Sequence, residues 1–449
     1  MKRNWTEKQL DAICSTGGSV LVSAAAGSGK TAVLVERVIR RLTDSENPTN
    51  ANRLLIVTFT RAAAGEMRQR IAAAIEDLLK ENPNDKNLVN QQMLLPSAKI
   101  CTIDSFCNSL VRENFQLLDI SPDFKNADES ELGLLKAQAM SDTLEALYEK
   151  GELDYLRLVE LLFKGRDDSN LSDMIYKLYL DSMSYPFPER WLDSLSESYE
   201  ADGKIADSVF GRIIMTYAGQ AIRFCLDAID SMKDILQESE DLEAAFLPAI
   251  TSDEVQICAV HEKLIENDWD GVCSCLSRFE AIRRGRTPKE YKDTPEETRL
   301  VKTRDTVKQI MKKELPAYFC CTQSEYAQDM KYLCPLVRQL VSAAKLFSEK
   351  FTAIKTEKNI ADFSDVAHMA LSLLLEEDEN GNIVRTDFAL SEAQNYDEIL
   401  IDEYQDTNKA QDMLFEAISR NNLFRVGDVK QSIYRFRRAM PEIFIELKD

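Results

Sequence analysis

Hydrophobic positions cluster as short continuous runs towards the two ends of the chain and recur at helical spacing in between. SVLVS at 19–23 is a β-prone run that enters a small-residue turn, AAAGSGKT at 24–31; AVLVERVIRRL at 32–42 then repeats apolar residues with helical period. RLLIVTF at 53–59 and AKICTI at 98–103 are further apolar runs, of the kind found in parallel strands covered on both faces. Each is followed by a helical pattern, an Ala-rich one at 61–80 and another from about Asp104 to Phe115. From 128 to 375 the pattern is long, acidic and helical, with breaks predicted at YPFP (185–188), near Pro248 and at RRGRTPKEYKDTP (283–295). Strand signals resume at 397–402 (DEILID) and 423–428 (LFRVGD), around a helix at 408–419, and 430–447 reads as mostly helical. The order predicts an α/β domain built on a parallel sheet and split in sequence by a large all-helical insertion.

Composition agrees with that reading. With only 15 Gly and 12 Pro among 449 residues, the chain leans away from turn-dense β architectures. No run of 18 apolar residues occurs, so a transmembrane helix is excluded, and the polar segment from Met1 to Gln9 lacks the apolar stretch of a signal peptide. The ten cysteines form no C-x-x-C pair and the histidines are His261 and His368, which argues against a zinc finger or ribbon. Reduced, mostly buried thiols in a cytoplasmic protein are expected. The net charge of −21 argues against a nucleic-acid partner at first sight, yet residues 1–100 carry 14 Lys and Arg against 10 Asp and Glu. Residues 420–438 hold six basic residues against the single acid Asp428. Local basic character is sufficient for binding a nucleic-acid backbone.

Four motifs carry chemistry. AAAGSGKT fits the phosphate-loop pattern at Gly29, Lys30 and Thr31, with Ala24 where the pattern has its first Gly. Backbone N–H groups from Ala24, Ala25, Ala26, Gly27, Ser28 and Gly29 would cradle phosphates at a helix N-terminus. Lys30 would reach the β- and γ-phosphates of ATP, and the Thr31 hydroxyl would ligate Mg²⁺. Asp402 and Glu403 follow the run EILI, where Asp402 would hold Mg²⁺ and Glu403 would orient the attacking water. In VGDVKQSIYRFR (426–437), Gln431 carries both a donor and an acceptor and would sense the γ-phosphate. Tyr434 and Phe436, interleaved with Arg435, Arg437 and Arg438, have the composition of a single-strand platform, on which bases stack while guanidinium groups hold phosphates. In VTFTRAAAGEMRQRI (57–71), Thr58, Phe59 and Thr60 could offer hydroxyls and a ring to DNA.

Taken together, WTEKQLDAI, SAAAGSGKT, VTFTRAAAGEM, TIDSFC, DEYQDTN and VGDVKQSIYRFRRA resemble the UvrD/PcrA/Rep class of superfamily 1 DNA helicases. In the WT-x-x-Q start, the SAAAGSGKTAVLVERV run, the Lys before the Gln in GDVKQSIYRFR, and YPFPERWLD, the chain is similar to the AddA (RexA) subfamily. That resemblance implies a RecA-like ATP-binding domain formed by 1–127 and 376–449, with 128–375 as a 1B-like helical insertion. It implies 3′→5′ translocation on single-stranded DNA, contact with duplex DNA, a partner of the AddB type, and work in double-strand-break repair and recombination. It also implies that Gln9 pairs with adenine, that Phe59 and Phe436 stack on single-stranded DNA, and that Thr58, Thr60, Thr102 and Ser105 lie near the DNA backbone. Ala32 and Asp104 depart from the class, whose members often carry Arg and His there. The resemblance places a second RecA-like domain, with arginine fingers, and a nuclease domain beyond Asp449, so hydrolysis by these residues alone is expected to be weak. Three alternatives remain at this point: another UvrD-like DNA helicase, a P-loop kinase acting on a small acceptor, and an ATP-binding module without turnover.

Overall fold

In a computed structural model the described residues are 4–448 apart from Ala26, Ser45, Asn47, 163–168, 201–202, Glu238 and 433–437. The chain divides into two compact units, Met1–Leu192 with Val341–Asp449, and Asp193–Leu340.

The first unit is built on a five-stranded, all-parallel sheet. Its strands are β1 (Val20–Ser23), β2 (Leu54–Thr58), β3 (Lys99–Thr102), β4 (Glu398–Ile401) and β5 (Leu423–Gly427), in the spatial order β1-β5-β4-β2-β3. The register pairs Val22 with Val426, Ile56 with Leu400 and Val57 with Cys101, which brings the carboxyl ends of all five strands to one edge. The helices that matter for that edge are α1 (Glu7–Cys14), α2 (Lys30–Leu42), α3 (Arg61–Glu81), α4 (Ile103–Glu113), α5 (Phe363–Leu374) and α6 (Lys409–Ala417).

Continuous apolar runs form these strands because both faces of the sheet are covered. Leu55 and Val57 of β2 and Ile399 and Ile401 of β4 pack with Phe106, Leu110, Val366, Leu374 and Phe415. The alternate residues Leu54, Ile56 and Leu400 pack on the other face with Leu34, Val38, Met67 and Ile71. Each such side chain contributes roughly 1.5–3 kcal/mol on burial. The buried charge in β4 is Glu398. Arg37 of α2 reaches its Oε1 at 2.6 Å through Nε, and Arg41 reaches its Oε2 at 3.2 Å. The same Arg37 stacks 4.2 Å over the Phe424 ring and donates to the Ala12 carbonyl at 2.8 Å, so one guanidinium ties α1, α2, β4 and β5 together.

The second unit is helical among its described residues. Its core gathers Ile222, Ile229, Phe246, Ile257, Val272, Leu300 and Val307 from helices Val209–Leu236, Glu240–Ile265, Trp269–Arg278 and Pro295–Gln309. A buried Arg304–Asp253 pair, 2.7 Å apart, braces it.

Several details differ from the sequence-based expectations. The break near Pro248 is absent: Pro248 lies inside helix Glu240–Ile265. A proline costs a helix one N–H donor, here the one that would have met the Ala244 carbonyl, and a helix of this length keeps its course across a single missing bond. The segment 128–375 is not wholly helical, since Ile360–Ala361 pairs with Lys125–Asn126. Its helices Glu129–Lys150, Leu153–Leu162, Ser169–Ser182 and the first half of Pro188–Glu197 fall in the first unit, and the second begins only at Asp193. At the C-terminal end the described helix is confined to Pro441–Glu446, after a 3-10 turn at Val429–Gln431. The thiols are free, but only Cys107, Cys225 and Cys334 are buried, while Cys14, Cys258 and Cys320 are exposed. No helix among the described residues is long and apolar enough to cross a membrane.

Candidate functional site

Four of the five strands end beside one another and release the motif-bearing segments from the same edge, which is where open α/β sheets hold ligands. β1 releases the 24–29 loop, β2 releases Phe59 and Thr60, β4 releases Asp402 and Glu403, and β5 releases Asp428 to Gln431. They surround a cavity of ≈ 360 Å³ lined in part by Thr31, Phe59, Thr60, Asp402, Glu403 and Gln431. Lys30 Nζ lies 3.1 Å from Glu403 Oε2 and 3.4 Å from Gln431 Oε1, so groups far apart in sequence share one centre.

The loop depends on two glycines in the left-handed region, Gly27 at φ 72° and Gly29 at φ 85°. A side chain at either would cost roughly 1–2 kcal/mol. Gly29 turns the chain directly into α2, so the loop's amides meet the positive end of that helix. The Ser28 hydroxyl is buried with no hydrogen-bond partner among the described residues, an orphan donor in a loop of the kind that forms anion nests. Gln9 braces the loop from α1: its Nε2 donates to the Ser28 carbonyl at 2.9 Å, and its Oε1 accepts from Thr6 N–H at 2.9 Å.

Asp402 and Glu403 sit in unlike settings. Burial, and then the neighbouring Glu403 carboxylate, push the Asp402 carboxyl up to about 6. Glu403 itself adopts φ 52°, a left-handed conformation unusual for a non-glycine residue. That backbone kink turns its carboxylate towards Lys30 and Gln405. Gln405, 1% exposed, donates to Glu403 Oε2 at 2.8 Å and Asp406 Oδ2 at 3.1 Å, and its Oε1 accepts the Asp428 N–H at 2.9 Å. The Gln431 amide donates to Asp428 Oδ2 and so holds the Asp428 carboxyl below its usual range. Lys30, Glu403, Gln405, Asp428 and Gln431 thus form a closed ring of polar contacts across the ends of β1, β4 and β5.

The structure brings Lys30, Thr31, Asp402, Glu403 and Gln431 together, and Gln9 lies against the loop. Ala24 and Ala25 follow β1, and the Ala24 N–H donates to the Gly427 carbonyl at 3.0 Å. Of the proposed DNA-contacting residues, Thr58, Phe59 and Thr60 line the cavity. Thr58 is buried with its hydroxyl donating to the Thr60 carbonyl at 3.0 Å. Thr102 and Ser105 are occupied with each other: the Thr102 hydroxyl donates to Ser105 Oγ at 2.9 Å and accepts the Ser105 N–H at 3.2 Å, capping α4. Ala26, Tyr434, Phe436 and Arg437 lie outside the described residues. Sequence reasoning assigned no part to Gln405 or Asp428, although both stand inside the quoted motifs. Their signal would have been position, at the ends of adjacent strands, and the strand order is not visible in the sequence.

The profile of the UvrD/REP helicase N-terminal domain matches residues 5–449. The chain is 39% identical over 455 residues to a protein of Acetivibrio thermocellus that is named as one of the subunits of an ATP-dependent helicase/nuclease, covering 99% of this chain and 36% of that protein. Proteins of the same name from a Thermoanaerobacter species and from Clostridioides difficile are 40% and 37% identical, over 99% and 98% of this chain and 36% and 35% of theirs. The chain therefore spans little more than a third of the length of the curated relatives it matches.

Proposed function

Because this chain belongs to the UvrD/REP helicase family, we propose that it is the N-terminal, ATP-binding half of the motor of an AddA-like helicase/nuclease. The observation that carries this reading is the 3.1 Å contact between Lys30 and Glu403, which joins the phosphate loop to the strand-end carboxylates. In this reading 1–127 and 376–449 supply the two parts of one RecA-like domain, and the mainly helical segment 128–375 connects them.

Each residue's part follows from its surroundings. The 24–29 amides, the N-terminus of α2 and the Ser28 hydroxyl would bind the phosphates. Lys30 would exchange its contacts with Glu403 and Gln431 for phosphate oxygens. The Thr31 hydroxyl and Asp402 carboxylate fit a hard, oxygen-loving ion, and when bound Mg²⁺ would neutralise charge on the phosphates. Glu403, released from Lys30 and still held by Gln405, would accept a proton from an attacking water. Gln431, bonded to Lys30 on one side and Asp428 on the other, would register the occupancy of the γ-phosphate position. Gln9 would have to divide its carboxamide between the loop and an adenine edge. The whole protein would couple these steps to 3′→5′ movement on DNA, in double-strand-break repair with an AddB-like partner in the cytoplasm.

The test is binding of a fluorescent ATP analogue with and without Mg²⁺. Wild-type chain should bind in a Mg²⁺-dependent manner and Lys30→Ala should lose binding by at least about tenfold, since a charge-assisted phosphate contact contributes about 1.5–3 kcal/mol. Equal affinity in the two proteins would refute the assignment.

A further inference from the structure

Strand β5 reads LFRVG, and its middle residue, Arg425, is 4% exposed in an otherwise apolar run. It stands beside Ile401 of β4, the residue before Asp402, on the face of the sheet that α6 covers. A buried ion pair is a poor way to stabilise such a place, since apolar residues of similar volume do as well or better. We propose that Arg425 is a positioning residue for ATP hydrolysis: acting through Tyr404, it fixes the backbone turn that aims the Glu403 carboxylate at Lys30. This role rests on the proposed hydrolysis of ATP at that centre. Arg425 does not itself line the cavity there.

Three observations support it. First, the contacts of Arg425 converge on Tyr404. Its guanidinium lies 5.1 Å from the Tyr404 ring centroid, within the range of a cation–π contact. It pairs with Glu416 and, at 3.7 Å, with Asp412, both on α6. Asp412 in turn accepts the Tyr404 hydroxyl. One carboxylate therefore holds both the edge of the ring and the cation over it. The Phe444 ring, 6.2 Å away between centroids, adds a further wall, and Tyr404 is left 1% exposed.

Second, Tyr404 follows directly on a residue that needs holding. Glu403 has φ 52°, a conformation that persists in a non-glycine residue only where its surroundings impose it. Tyr404 opens the 3-10 turn Tyr404–Asp406, in which Asp406 N–H donates to the Glu403 carbonyl at 3.0 Å. The Thr407 hydroxyl closes the turn on the Tyr404 carbonyl at 2.7 Å. Where the ring is fixed, the turn is fixed, and with it the carboxylate 3.1 Å from Lys30. Third, hydrogen bonding does not account for an arginine here. Its Nε is buried with no partner among the described residues, which is a cost. The Glu416 side chain is 47% exposed and has water as an alternative partner. What the planar, permanently charged guanidinium adds is a defined place for the ring beneath it.

The experiment turns over radiolabelled Mg·ATP with the full chain in excess, so that slow hydrolysis suffices. Affinity for the fluorescent ATP analogue and unfolding in urea are measured on the same preparations. R425M/D412N removes the cation without leaving an unpaired buried carboxylate, and its Asn still accepts the Tyr404 hydroxyl; R425K keeps a cation near the ring. The double variant should hydrolyse ATP about tenfold or more slowly, because small misplacements of a reacting group are expensive. It should bind the analogue as wild type does and unfold at the same or a higher urea concentration. R425K should keep most of the rate. Equal rates in wild type and the double variant would overturn the proposal. So would a loss of rate matched by equal losses of analogue affinity and urea stability, which would make Arg425 a packing residue. So would a wild type that binds nucleotide and never hydrolyses it, since there would be no step to position. Failure of the nucleotide assignment itself registers separately, as equal analogue binding by wild type and Lys30→Ala.

Discussion

The partly buried Asp402 carboxyl sets function against stability, and the conflict can be measured. Its pKa is raised from 3.8 to about 6 by burial and by Glu403. At about 1.36 kcal/mol per unit, that displacement corresponds to about 3 kcal/mol of penalty for holding the ionised form in the folded chain. The sign is the reverse of the usual carboxylate case. The folded state binds the proton more tightly than the unfolded state, so stability is lost as pH rises through the interval from 3.8 to about 6, and the full penalty stands above it. Asp402→Asn keeps an oxygen able to accept the Glu403 N–H, a bond of 3.0 Å in the wild type, and removes the charge. The variant should be more stable than wild type by about 1–3 kcal/mol near pH 8 and should show little difference near pH 4. Thermal unfolding at the two pH values reads this as a rise of a few degrees at the higher pH alone. The same substitution should abolish Mg²⁺-dependent nucleotide binding. Wild-type Mg²⁺-dependent affinity should itself fall about tenfold between pH 7 and pH 5, as the carboxyl protonates. An equal stability change at both pH values, or none at pH 8, would show that Asp402 is not under electrostatic stress and would remove the argument.

Two other substitutions test the framework of the site. Glu398→Ala leaves Arg37 in the core without its carboxylate and should destabilise by about 3–5 kcal/mol in urea unfolding, far more than an exposed pair such as Lys80–Asp77 whose removal should be nearly silent. Gln405→Leu keeps the volume but strands the Asp428 N–H; it should cost about 1–3 kcal/mol and also weaken ATP-analogue binding, because Glu403 and Asp428 lose their common brace. Destabilisation without any change in nucleotide binding would make Gln405 a packing residue only.

The candidate site was legible where chemistry is written locally. The small-residue run before Lys30, the acids after EILI and the Gln after LFRVG each carry their meaning in a few adjacent residues, and the five strands fall within a residue or two of the runs that predict them. The Gln405 brace was not legible, because a glutamine in a polar segment has no periodicity to betray that it is 1% exposed. Nor was the true reach of the helical segments: the pattern of Glu129–Lys150 says which face is apolar, and it says nothing about which neighbour covers that face.

Hydrophobic runs and turn chemistry by themselves determined that this protein has a buried parallel sheet with a glycine-turned loop at the end of its first strand, since a strand's period and a glycine's left-handed φ are properties of a few consecutive residues. Only the tertiary structure decided that β5 lies between β1 and β4. That order, set by packing among residues hundreds of positions apart, puts Lys30 within 3.1 Å of Glu403 and closes the ring through Gln405, Asp428 and Gln431.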